Sequence, residues 1–202
     1  IRDTSALRPG QPPVWSAISQ TDDGFRFEVN LVPQNDAVPG AELRQELVRC
    51  ILAEMLFRPH AGSDLTGRDI PPPDWLLYGV LELLDYQALG RSSEAFSTVF
   101  RLGRVLSIDD IFTADPGSMD SVSRMIYRSS CCGLLLTLME QKSGAEHLKE
   151  LCKILALMPG DDASAIARTF PKPIGETMTG RVTVKADAVV LTMPESINWL
   201  FN

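Results

Sequence analysis

Phe25, Phe27, Val29 and Leu31 alternate with Arg26, Glu28 and Asn30, the period of a strand with one buried face. Val14 to Ile18 reads as a short strand ahead of it, and Pro9, Gly10, Pro12 and Pro13 mark residues 1–13 as an irregular leader or linker. After Pro39 the apolar period lengthens through Leu43, Leu47, Val48, Ile51, Leu52, Met55 and Leu56, which predicts a helix over 40–57 ending before Pro59. A loop through Gly62, Gly67 and Pro71 to Pro73 leads to a second helix over 74–89, closed by Gly90, where a positive backbone angle is tolerated. Short helices are expected over 93–100 and 107–113, long ones over 119–142 and 145–157, and a short one over 162–169, with breaks at Gly144 and Pro159-Gly160. Beyond Pro173, the β-branched runs Arg181 to Lys185 and Ala188 to Thr192 flank Ala186-Asp187 and predict a hairpin.

This order of elements gives an α+β, predominantly helical fold with a small N-terminal sheet, a helical C-terminal half and a terminal β-hairpin. Three stretches follow: 1–13 as leader, 14–171 as one domain and 172–202 as a hairpin extension. A chain of 202 residues, 45% hydrophobic, is long enough to bury a sizeable core. A net charge of −7, with no basic cluster interleaved with aromatics, argues against nucleic acid or an anionic membrane surface as partner. No apolar run approaches a membrane span, the longest being Leu134 to Met139. The chain begins at Ile1, without an initiator Met or signal sequence, which leads us to expect a piece of a longer product.

Four cysteines, Cys50, Cys131, Cys132 and Cys152, lie in apolar helical stretches without metal-binding spacing and are expected to be buried free thiols. The only histidines, His60 and His147, have no acidic or thiol neighbour at ligand spacing and read as surface residues. Asp109-Asp110 and Asp161-Asp162 fall at helix starts, where negative charge favours the helix dipole. There is no nucleophile elbow, phosphate-binding glycine loop or dinucleotide fingerprint.

The most informative segment is Gln45-Glu46-Leu47-Val48-Arg49 on the first long helix, followed by Pro72-Pro73-Asp74-Trp75-Leu76-Leu77-Tyr78-Gly79 at the start of the second. Taken alone, Glu42, Glu46 and Arg49 form a narrow polar stripe, the usual pattern of a solvated helix face. Taken together, the two segments resemble the gluzincin peptidases, in which H-E-x-x-H on one helix and a Glu in P-x-W-L-x-E-G on the next hold one zinc. The order of the following elements extends the resemblance over roughly 25–171: Tyr127-Arg128-Ser129-Ser130 leading into Leu134 to Met139, then Gly144, Leu148 and Leu151, then a short helix ending at Phe170-Pro171.

The resemblance places Gln45, Arg49 and Tyr78 at the three ligand positions and Glu46 at that of the general base. Gln45 offers a neutral amide, Arg49 a protonated guanidinium without a lone pair, and Tyr78 a phenol that binds metal only when ionised. The residue types therefore predict no zinc, no cofactor and no active catalytic residue. In gluzincins a strand beside the active-site helix holds extended peptide, so the resemblance implies a peptide-binding edge at Phe25, Phe27, Val29 and Leu31. The expected function is that of an inactive gluzincin-like domain binding a peptide or protein partner, and the likeness to bacterial gluzincin-like domains is compatible with an extracytoplasmic setting. Two alternatives stand beside it: a peptidase recruiting unusual ligands such as Glu82 or His60, and a plain helical interaction scaffold.

Overall fold

The computed structural model describes residues 12–21, 24–32, 39–60, 71–90, 92–170, 184–185 and 188–189. The described chain is mainly helical, with seven α-helices and a small antiparallel sheet at its N-terminal end, an α+β composition. It parts into two compact units at Pro72/Pro73, where the sequence reading draws one domain over 14–171.

In the first unit, β1 (Val14–Thr21) pairs antiparallel with β2 (Gly24–Leu31). The strand expected over 14–18 extends to Thr21 because the polar tail Ser19-Gln20-Thr21 keeps the ladder with β2. α1 (Gly40–Phe57) starts after Pro39 and runs into a 3-10 turn, Arg58–His60. Opposed residues of an antiparallel pair share a face, so Val14, Ser16 and Ile18 lie on the same side as Leu31, Val29 and Phe27. That face meets the helix: Phe25 and Phe27 pack on Ala53 and Phe57, with the Phe25 and Phe57 rings 5.3 Å apart.

The second unit opens with α2 (Asp74–Leu89), which Gly90 ends at φ 65°, as the sequence predicts. α3 (Glu94–Arg101) and α4 (Ile108–Thr113) are capped by the Ser93 and Ser107 hydroxyls, which accept from the amides of Phe96 and Asp110. α5 (Ser121–Met139) is shorter at both ends than the expected 119–142, because the Asp120 carboxylate accepts the Ser123 amide and fixes the start. Tyr127 lies within α5, as it does in the expected 119–142 helix. α6 (Gly144–Leu155) begins at Gly144, where the sequence suggests a break, since Ser143 at φ 57° turns the chain immediately before it. α7 (Asp162–Thr169) follows.

α2 lies against α5 at close range: a Cβ on Gly79 would stand 3.0 Å from the Cys131 carbonyl oxygen. Trp75, Phe96, Tyr127, Leu134, Leu135, Leu138 and Leu148 fill the interior of this unit. Of the terminal hairpin, β3 (Val184–Lys185) and β4 (Ala188–Val189) pair antiparallel. The rest of 172–202 and residues 1–11 of the leader lie outside the described residues.

Candidate functional site

The Glu46 side chain of α1 is 15% exposed and that of Arg49 24%, so of the polar stripe only Glu42 lies on the solvated face. Arg44, Leu47, Ile51 and Arg58 face outward as well. The difference comes from β1, whose Ser16 hydroxyl donates to Glu46 Oε2 at 2.7 Å, while Arg49 Nε donates to Glu46 Oε1 at 3.2 Å. Both carboxylate oxygens thus hold a partner. Gln45 is half-buried one residue earlier on the same helix. Cys50 adjoins this group, and burial pushes its thiol up despite the hydrogen bond to Ser16.

The Glu46–Arg49 pair is neither open to solvent nor fully enclosed. Truncating Arg49 to Ala is therefore expected to cost about 1–2 kcal/mol, between exposed and buried pairs. A urea titration with an unchanged slope reads this directly. A loss below about 0.5 kcal/mol, the level of ordinary surface changes, would make the pair incidental to the fold.

The sheet edge beside α1 has a definite polarity. Val32 N–H donates to Pro13 C=O at 2.8 Å, so that pair is hydrogen-bonded, and the antiparallel alternation makes Trp15/Asn30 and Ala17/Glu28 hydrogen-bonded as well. The N–H and C=O groups of Phe25, Phe27, Val29 and Leu31 then point away from β1. No third strand pairs with β2 among the described residues. The four positions singled out from the sequence are those whose backbone forms the open edge.

Tyr78 belongs to the second unit, where its ring meets that of Tyr127 edge-on at 5.6 Å. Tyr127 is 1% exposed, and burial raises its pKa, with further contributions from the neighbouring Cys131. One turn beyond Tyr78, Glu82 is committed to a clasp between α2 and α5. Ser93 Oγ donates to its Oε1 at 2.5 Å, and Arg128 Nη2 lies 3.0 Å from its Oε2 and 2.8 Å from Asp85 Oδ2. Glu82 therefore already holds a hydroxyl donor and a guanidinium shared with Asp85 where the alternative reading would make it a metal ligand.

His60 is partly exposed on the 3-10 turn. His147, read as a surface residue, instead sets its ring edge-on to Phe170 at 5.3 Å with Nδ1 buried. Among the described residues no group of three His, Cys, Asp or Glu is placed to hold a metal ion. All four cysteines are free and buried, and burial pushes the Cys131 and Cys152 thiols up to about 12. Of the acidic pairs, Asp161 caps α7 through the Ser164 amide, but Asp162 turns inward and accepts the Trp75 indole N–H at 3.1 Å.

Sequence reasoning missed Arg128. The signal was available in the spacing of Arg124 and Arg128 on α5 and of Glu82 and Asp85 on α2, charges one turn apart on helices otherwise rich in apolar residues. No described helix is long and apolar enough to cross a membrane. Compared with known proteins, the chain matches no family model, no curated protein and no solved structure.

Proposed function

We propose that the chain is an inactive gluzincin-like domain whose first unit binds an extended peptide or partner segment along β2. The observation that carries this reading is the outward row of backbone donors and acceptors at Phe25, Phe27, Val29 and Leu31, which no described strand pairs. An added strand satisfies such groups by main-chain hydrogen bonds and needs no metal. Loss of catalysis is supported by the chemistry at the general-base position. Glu46 is held by Ser16 and Arg49, and a guanidinium stands where a neutral ligand would be required. The strand lying over α1 also favours this reading over a plain helical scaffold.

The test follows from the strand polarity. Leu31→Pro removes an outward N–H and leaves every β1–β2 hydrogen bond in place, whereas Asn30→Pro removes one directed into the ladder. In a peptide-array screen of the whole chain, Leu31→Pro should abolish the binding seen with wild type while leaving the thermal midpoint nearly unchanged. Binding unaffected by Leu31→Pro would defeat the edge reading. Stoichiometric zinc in the unaltered chain would overturn the inactive reading.

A further inference from the structure

The face of the N-terminal sheet turned away from α1 carries a charge pattern on β2. Arg26 and Glu28 lie there, 68% and 49% exposed, with Arg26 Nη2 at 2.9 Å from Glu28 Oε1. The β1 residues opposed to them, Ser19 and Ala17, are uncharged. Charges that guard a free strand edge against self-pairing act by repulsion, one sign meeting the same sign. Opposite signs two residues apart do the reverse, because under a twofold axis such a strand is complementary to itself.

The polarity of β2 limits the self-pairings it can make. Phe25, Phe27 and Val29 direct their N–H and C=O groups outward, so in an antiparallel copy these positions must meet one another. An axis through Phe27 sets Phe27 opposite Phe27 of the second copy and Phe25 opposite its Val29, and each such pair exchanges both main-chain hydrogen bonds. Arg26 then stands opposite Glu28 of the second copy, and Glu28 opposite its Arg26, in the closely spaced pairs that lack main-chain bonds. Moving the axis to Arg26 sets Arg26 against Arg26, and moving it to Glu28 sets Glu28 against Glu28. Like charges directly opposite disfavour both, so charge selects the register centred on Phe27.

We propose that β2 pairs with β2 of a second copy of this chain, antiparallel about Phe27, joining two ribbons into one sheet in the order β1-β2-β2-β1. The inference rests on the open-edge reading and names the partner. On the side facing α1, Phe25, Phe27 and Val29 are half-buried in the single chain, and the same residues of the second copy cover them further. One strand edge is a small interface, under about 1,200 Å², the size that gives transient association rather than a permanent dimer.

Sedimentation equilibrium of the whole chain from about 10 μM to 1 mM should show a reversible monomer–dimer equilibrium, as an interface of this size implies. Arg26→Glu and Glu28→Arg each set like charges opposite each other and should weaken self-association about tenfold or more. Mixed in equal amounts, the two variants should associate with each other about as well as wild type, since one strand is then acidic and the other basic. Arg26→Glu/Glu28→Arg in one chain restores the self-match and should also dimerise. Both positions are exposed, so the thermal midpoints should stay near that of wild type. A chain monomeric at the highest concentration, a dimer indifferent to both single variants, or no recovery on mixing would each overturn the inference. If the chain is monomeric while array binding remains sensitive to Leu31→Pro, self-pairing fails and the open-edge reading stands; loss of both defeats both.

Discussion

Arg128→Ala should destabilise the chain by about 2–4 kcal/mol. That is below the full loss of a buried ion pair because the Arg128 side chain is itself 28% exposed, but above the Arg49 figure because the Glu82 it leaves behind is buried. Glu82 is only 7% exposed, and without the guanidinium it retains the Ser93 hydroxyl as its sole partner among the contacts described above. The cost lies in the stranded charge rather than in the lost contact. Glu82→Gln/Arg128→Met, which removes both charges while keeping side-chain volume, should therefore recover most of the deficit. Urea unfolding of wild type, single and double variants decides the matter. If the double variant is as unstable as Arg128→Ala, packing of the arginine stem and not charge compensation holds α2 on α5.

Trp75→Phe has the next largest expected effect and a pH dependence that identifies its cause. Trp75 is 1% exposed, its ring lies 6.0 Å from that of Phe112, and its indole N–H reaches Asp162. Burial pushes the Asp162 carboxyl above its ordinary 3.8, the indole hydrogen bond pulls it back, and the neighbouring Asp161 raises it further. A carboxyl whose pKa is raised on folding binds its proton more tightly in the native state. Its contribution to stability is full below 3.8 and is lost as the pH rises through the folded pKa. Removing the indole donor withdraws support from the charged form. The deficit should be about 2–3 kcal/mol at pH 7 and should narrow as acid protonates Asp162. A deficit equal at pH 7 and at pH 4 would assign the effect to lost ring volume alone.

The helix limits were legible where the chain punctuates itself. Pro39, Pro73 and Gly90 bound α1 and α2 at the residues predicted, because proline and a left-handed glycine act locally. α5 was overestimated because Asp120 caps it at the start and the polar stretch Glu140 to Lys142 leads into the left-handed turn at Ser143. The open edge at Phe25 to Leu31 was legible as alternation, but its polarity was not. Side-chain period fixes faces, whereas the direction of each N–H depends on the register with β1. Glu46 was legible only in part: its three-residue spacing from Arg49 on α1 lets the two meet, but does not show that Ser16 arrives from another element. The Arg128 clasp needs the pairing of α2 with α5, which no local spacing encodes.

The distribution of the thiols gives the molecule internal clocks. Cys50 lies in the first unit and Cys131, Cys132 and Cys152 in the second, all buried and all with raised pKa values. A buried protonated thiol reacts with an alkylating reagent only after the surrounding structure opens and the thiolate forms. The rate at which each cysteine is modified under native conditions therefore times the opening of its own neighbourhood, with Cys50 timing one unit and the other three the second. Whether the two units breathe together or separately is written into four residues that take no part in the proposed binding edge.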